Sequence, residues 1–594
     1  MRPRTAAGWA AAFVLAALVM LALAAIGLRY GVLTPSARLL IQARVSGLTL
    51  GRGGKLKIEG LGGDIWRDFT VQRLTVSDER GVWLEADGVV IRWDYAALVR
   101  RRLQVTWLRA QAVTVIRRPS LAPEGPPSRG LPLAFDLKDI RFPLKTLPAF
   151  STRPGLYTVT GKLKLARGGK GEAGEVRAAS LTHPGDFLDL RFDVAPGRPL
   201  LVVARGMEAK GGAIAGALGL PADQPFHVEL DATGAPTGQS GRLDLDLSSG
   251  DKRPLWAHGG WTPQGGVIAG RISLAASSLT RGYLRMVGPD AIAAVAARRA
   301  PNGLYGVALR IRAPNLSLAA EGPADPAAIS SKSGLRLAVR VADLSRMVRT
   351  PSLGAGAAQG LLVGDPAAWK FLGTAEVDRA GIDGYRLARV SGPLVLAGKA
   401  KQLTAQAALT GAGGSGPGLA ASLGGAAPRL SFDLVRLADG RLLIRKADLK
   451  GQGLVVTASG SRGLFGGLNF TGTATVSGLE RARPGTAGGL ALRWSANQAS
   501  AAKPWLVTAD GHGDKFRTGL GELDRLLGDK PRLRVKAALS AGSVEIGEAA
   551  VDGAAAAIQA KGVVGKGGVL ALKTSWHADG PFRVGPVLID GKAS

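Results

Sequence analysis

From Leu39 almost to the C-terminus, apolar residues recur at every second position, and this period leaves few folds open. Leu56/Ile58, Phe69/Val71, Leu74/Val76, Val82/Leu84, Val89/Ile91/Trp93, Leu103/Val105/Trp107 and Val113/Val115 follow it in the first part of the chain. Later runs such as "GKLKLARG" from Gly161, "GRLDLDLSSG" from Gly241, "GLRLAVRVADL" and "PRLRVKAAL" continue it. Successive side chains of a strand point to opposite faces, so each run predicts a half-buried strand with one apolar and one polar face. Most runs end within a few residues at Gly, Pro, Asn or Asp, the punctuation of antiparallel hairpins.

Helical signals are sparse: Asp94 to Arg101, "DAIAAVAARR" from Asp290 to Arg299, and "LGELDRLLGD" near Leu520, with Leu520, Leu523 and Leu527 on one face. "GAGGSGPGLAASLGGAAPRL" from Gly411 reads as a flexible low-complexity loop or a gap in the sheet. Helices this few cannot cover so much apolar sheet. The sheet must close, fold over itself or hold something greasy, and an all-β, very long curled antiparallel sheet, an open trough, is the expected fold class. Some 35 to 40 strands at about 4.8 Å spacing give a trough on the order of 170 to 190 Å long. With 594 residues the chain exceeds any single compact core, and 85 glycines with only 5% aromatics suit many short strands and tight turns.

The N-terminus predicts a location. After Arg2 and Arg4, Thr5 to Leu28 carries no charge, long enough as a helix to cross a hydrocarbon core, and Arg29 follows. The positive-inside rule keeps Arg2 and Arg4 cytoplasmic and sends the rest across the membrane. A cleaved signal peptide with an Ala22-Leu23-Ala24 site is the alternative, and it gives the same destination. The expected organisation is an anchor over 1–29, a β-rich block over 30–118, a proline-rich loop over 119–132 ("RRPSLAPEGPPSRGLP" begins at Arg117) and an elongated β-trough over 133–594.

Chemistry is sparse. No cysteine is present, which excludes disulfides, thiolate metal sites and a cysteine nucleophile. His183, His227, His258, His512 and His577 lie far apart, so no metal site and no cofactor are expected. "DGHGD" from Asp510 reads as a hairpin turn, and Asp244 with Asp246 in "LDLDL" as the solvent face of a strand rather than an acid/base pair. No phosphate-binding loop, dinucleotide fingerprint or nucleophile elbow appears, and an enzyme is not expected. The net charge of +31 is spread along the chain without interleaved aromatics, so nucleic acid is not the expected partner. It suits a solvated face that discourages edge pairing, or attraction to phosphate headgroups.

The uncharged N-terminal run, the "IEGLGGDIWRDFTVQRLTV" step, the "GVWLEADGVVIRW" strand pair, the short basic-ended helix, and the proline-rich break before "LPLAFDLKDIRF" together resemble the N-terminal region of the TamB family in the AsmA-like group. "LDRLLGDKPRLRVKAALSAGSVEIGEAAVDG" and the strands after it resemble the same family. The resemblance implies an inner-membrane anchor, a trough with an apolar interior spanning the periplasm, passive movement of phospholipids toward the outer membrane, and co-operation with a TamA-type outer-membrane partner. Family members are longer and end in a further domain, so a truncated C-terminal end is expected here. Inward apolar residues are the candidate lipid-groove residues: Val89, Ile91, Leu103, Val105, Leu243, Leu245, Leu335, Leu337 and Val339. The competing expectations are a scaffold whose strand edges template outer-membrane proteins, and a glycan-binding β-solenoid.

Overall fold

The computed structural model describes residues 35–47, 54–64, 66–120, 134–166, 171–210, 212–325, 330–347, 352–382, 384–463, 467–500, 503–540, 543–565, 569–584 and 587–594. The Thr5 to Leu28 run and most of the proline-rich loop lie outside them. Among the described residues no helix is long and apolar enough to cross a membrane. The fold is all-β, and the chain divides into two compact units, Met1–Ala296 and Ala297–Ser594.

In the first unit, helix Pro35–Val45 leads into strands Lys55–Asp64, Asp68–Asp78 and Gly81–Asp94, a meander paired antiparallel. Gly81–Asp94 ends in a 3-10 turn, Tyr95–Arg100, where the Asp94 side chain accepts from the Ala96 N–H at 3.0 Å. A short helical piece is therefore found where the Asp94 cap predicts one. The next strand is broken into Arg102–Arg109 and Ala112–Val115, both paired with Gly81–Asp94. Strand Ala134–Thr146 then lies parallel to both pieces, with Val105 opposite Leu137 and Val113 opposite Leu144. Parallel neighbours need a long crossover, and the proline-rich stretch supplies the chain length for one. The strands on its two sides thus belong to one sheet. From Ala134–Thr146 onward each strand pairs antiparallel with the next, as far as Gly265–Ser273.

The second unit repeats this rule without interruption. From Tyr305–Arg312 to Leu570–Asp579 every strand pairs antiparallel with its successor. Its short helices, Leu344–Arg346, Gly418–Gly424, Leu479–Arg481 and Gly521–Leu527, all follow strands of one direction and so lie along one rim. Tight turns such as 366–367 and 400–401 form the other rim. The helix expected near Leu520 is Gly521–Leu527, which buries Leu526 and Leu527.

Three expectations are corrected. "DAIAAVAARR" is strand Asp290–Arg299, not a helix: alanine's helix preference is weak beside ladder formation in a sheet. The Gly411 segment is not a gap; it closes with helix Gly418–Gly424, which buries Leu423, while Tyr385 Oη donates to the Gly425 carbonyl at 2.6 Å. "DGHGD" is no turn but lies within strand Trp505–Arg517. Gly511 faces Leu492 there, and an added Cβ would stand 2.0 Å from the Ala491 carbonyl oxygen, so its glycine answers a close approach within the sheet.

Candidate functional site

Residues opposed in a ladder share a face, so a row can be followed from strand to strand. In the first unit, Leu245 opposes Leu230, then Ala204, Leu190 and Val176. The same row continues through Gly161, Ile140, Leu108, Ile91 and Phe69. A parallel row begins at Leu243 and runs through Ala232, Val202, Phe192, Gly174 and Leu163 to Leu137 and Val105. Neither row contains a polar side chain. Four candidates far apart in sequence, Ile91 with Leu245 and Val105 with Leu243, are thereby brought onto two neighbouring lines of one face. Leu103 stands on the same strand as Val105, opposite Phe135 and, beyond it, Leu165.

In the second unit Leu335, Leu337 and Val339 sit on one strand and each starts a row. That of Leu337 reaches back to Ala320 and Leu309. In the other direction it runs through Gly360, Gly373, Leu394, Ala407 and Phe432, then Ala447, Ala458, Gly472 and Trp494, and on through Ala509, Val535 and Ala549 to Ala560. A polar side chain, Thr574, enters only on the last strand of the series. Leu335 starts a companion row through Leu362, Phe371 and Leu396, and Val339 opposes Leu318 and Ala358. Ala320, Phe371 and Ala407 are buried; Leu335, Leu337, Val339 and most other members are half-buried.

In the first unit the opposite face is charged, whereas behind Leu337 in the second unit the row Arg336, Leu361, Leu372 and Val395 is largely apolar. Behind Leu245 and Leu230 runs the row Asp246, Glu229, Arg205, Asp189, Arg177. Arg205 pairs with Glu229 at 3.6 Å and Arg177 with Asp189 at 3.5 Å, and Lys162 meets Glu175 at 2.6 Å. Asp244 and Asp246 belong to this solvent face as expected: Arg242 and His258 engage the first, Arg253 the second. The Arg242 guanidinium, with a smaller part from His258, holds the Asp244 carboxyl below the usual carboxylate range. Among the described residues no group of His, Asp and Glu is placed to hold a metal ion.

Two of the candidates are buried, Val105 at 6% exposure and Val89, which alone of the nine belongs to the buried core of a hydrophobic cluster. Val89 is 3% exposed and packs with Ile58, Val71, Ala86, Ala110 and Val113 into a sealed cluster, against which Val45, Ile91, Phe142 and Leu144 also lie. A local irregularity accompanies the cover: the inward positions change parity between Val71 and Leu74 and between Leu84 and Val89. Gly60 and Gly88, both in the left-handed region at φ +66° and +57°, mark two of the irregularities that allow this.

One rim of the first unit is locked by a residue that periodicity did not reveal. Glu208 is wholly buried. Its carboxylate accepts from Tyr157 Oη and from the Ile214 and Ala215 N–H groups, each at 2.8 Å, the last two opening helix Ala213–Ala217. Burial first, then the carboxylate it donates to, pushes the Tyr157 phenol well above its ordinary pKa. The sequence signal was a Glu at the end of the apolar run "LLVVARGME". What each unit presents is an apolar face followed in register from strand to strand, charged behind in the first unit and edged by short helices, and among the described residues no acid/base or nucleophilic constellation accompanies it. No family model matches the chain, and neither a curated protein nor a solved structure matches it.

Proposed function

We propose that the apolar sheet face shelters phospholipid acyl chains, and that the protein is an inner-membrane-anchored periplasmic bridge for passive phospholipid transfer between inner and outer membranes, as the TamB-type resemblance implies. The observation that carries the reading is the apolar row from Leu309 to Ala560, unbroken by any polar side chain and half-buried along most of its length. An apolar face kept this free of polar groups, and only partly covered by protein, suits a guest with long hydrocarbon. Each CH₂ removed from water contributes about 0.8 kcal/mol, so tails slide along such a face far more readily than through water. The headgroups stay at the polar rims, and no energy source or cofactor is needed for the sliding step itself.

A second reading is favoured by one strand. Leu570–Asp579 is exposed on both faces over most of its length, and among the described residues its outer edge meets only Lys592 and Ala593. Such an edge suits templating of a client strand, as in assembly of outer-membrane proteins with a TamA-type partner.

Mass spectrometry of lipids that co-purify with the gently extracted protein separates the two. Phospholipid bound to the wild type and lost from the Leu245→Arg/Leu337→Arg variant, with an unchanged β-sheet circular dichroism spectrum, supports the conduit. Absence of lipid from both favours the scaffold.

A further inference from the structure

Between strands Gly265–Ser273 and Asp290–Arg299 the chain leaves the sheet over residues 274–289, "LAASSLTRGYLRMVGP". Leu274 is buried and fastens the excursion to the rim, and Thr280 Oγ1 donates to its carbonyl at 2.6 Å. Ser277 Oγ donates to the Leu218 carbonyl and the Ser278 N–H to the Gly219 carbonyl, both at 2.7 Å, so the excursion is tied to the end of helix Ala213–Ala217. Four large apolar side chains remain outside: Leu218 at 41% exposure, Leu279 at 51%, Tyr283 at 56% and Met286 at 38%. Arg281 and Arg285 are exposed among them, and the stretch contains no Asp or Glu. Arg281 has no ion pair among the described residues.

We infer that this rim patch is a bilayer contact that inserts Leu279, Tyr283 and Met286 at the interface and sets Arg281 and Arg285 against anionic phospholipid headgroups. The occupant follows from the chemistry. Clustered apolar exposure of this kind is unusual on a surface meant only for water. Tyrosine with a wet tip and an apolar body, flanked by arginines, matches the graded polarity of a membrane interface. A stretch whose charged residues are all basic is complementary to an anionic surface. The rim helix Gly521–Leu527 in the second unit differs on each count: it carries Glu522 and Asp524 in its first turn and turns Leu526 and Leu527 inward. This inference does not rest on the lipid-groove reading, because a surface contact requires no lipid on the sheet face.

The absence of cysteine makes a local test clean. The full chain carrying Tyr283→Cys, labelled with an environment-sensitive fluorophore, is mixed with vesicles of phosphatidylcholine alone or with phosphatidylglycerol added. A Gln264→Cys label, in the turn at the other end of strand Gly265–Ser273, serves as control. The expected result is a blue shift at 283 with loss of quenching by aqueous iodide, at a lipid concentration roughly tenfold lower when phosphatidylglycerol is present. Gln264 stays unshifted, and Arg281→Glu/Arg285→Glu removes the preference. No shift at 283 on vesicles that retain the protein overturns the inference, as does an equal shift at 264. A shift at 283 that appears without vesicles and grows with protein concentration also overturns it, and identifies a second copy as the occupant.

Discussion

The cluster around Val89 and the rows that begin at Leu335, Leu337 and Val339 are built from the same alternation, yet one is sealed and the others are half-open. At Val89, parity changes near Gly60 and Gly88 and the parallel strand Ala134–Thr146 bring Phe142 and Leu144 onto the side chains of the meander, while Val45 packs from the N-terminal helix. At Leu337 each strand merely follows its neighbour in register, and no parity change intervenes between it and Ala358 or Gly360. Apolar alternation therefore specifies a face; what covers that face is decided by irregularities and crossovers.

The widest separation between the two regions is expected from a buried charge. Val89→Asp places an unpaired carboxylate in the sealed cluster and is expected to cost on the order of 4 kcal/mol. Leu337→Asp, on the half-open face, is expected to cost roughly 1 kcal/mol. Because two units need not unfold in one step, native-state hydrogen exchange of the strand that carries each substitution is the appropriate measure. Equal losses would erase the distinction between sealed and open face.

Next in size is the rim lock. Glu208→Ala strands the Tyr157 hydroxyl and two helix N–H groups away from water, with an expected loss of roughly 3 kcal/mol confined to helix Ala213–Ala217 and strand Gly155–Leu165. Tyr157→Phe removes one hydrogen bond and is expected to cost less, about 1.5 kcal/mol. Hydrogen exchange across 155–165 and 213–217 reads both, and a loss spread evenly over the unit would mean that Glu208 does not act locally.

A pH dependence sharpens the comparison on the side of the sealed cluster. Arg117 leaves strand Ala112–Val115 and bonds Asp78 through both Nη groups, at 2.6 and 3.0 Å, and the Gly81 carbonyl at 2.6 Å. The Arg117 guanidinium, aided by the Ser120 and Arg80 N–H groups, holds the Asp78 carboxyl far below the usual carboxylate range. A depressed folded value means that the unfolded chain takes up the proton first. The contribution is thus complete above the unfolded value of about 3.9 and is lost as pH falls through the lower folded one. Protection factors of strand Ala112–Val115 are expected to stay level from neutral pH to about 5 and to drop below about 4. Asp78→Asn should start lower and abolish the acid step; a step that survives in this variant would assign it to other carboxylates.

How far the sequence reaches is clear from these same residues. Period two identified the face on which Leu243, Leu245, Leu335, Leu337 and Val339 lie, because register in an antiparallel ladder preserves parity. Period two also separated Asp244 and Asp246 from the apolar side. It did not distinguish Val89 from Leu337, since coverage is a long-range property absent from local alternation. "DAIAAVAARR" misled because alanine's propensity is a local preference that sheet pairing overrides, and "DGHGD" because two glycines serve close packing within a strand as readily as a turn. Glu208 shows in the sequence only as a charge that ends an apolar run; its role is not legible there because its three partners come from two other elements, Tyr157 and the helix start.

The smallest effect is expected behind the apolar face, and it tests whether the distinction is one of coverage rather than of sheet strength. Arg205 lies between Glu229 and Asp231, both at 3.6 Å, with all three side chains well exposed. Ion pairs in water gain little, since solvent screens the attraction and fixing long side chains costs entropy. Arg205→Ala is therefore expected to change stability by less than about 0.5 kcal/mol, and the difference should vanish in high salt. Native-state hydrogen exchange of strand Leu200–Glu208 at low and high ionic strength measures both. A loss approaching that of Val89→Asp would mean that the charged ladder, not apolar coverage, holds these strands in register, and the half-open face would then owe its order to the surface behind it.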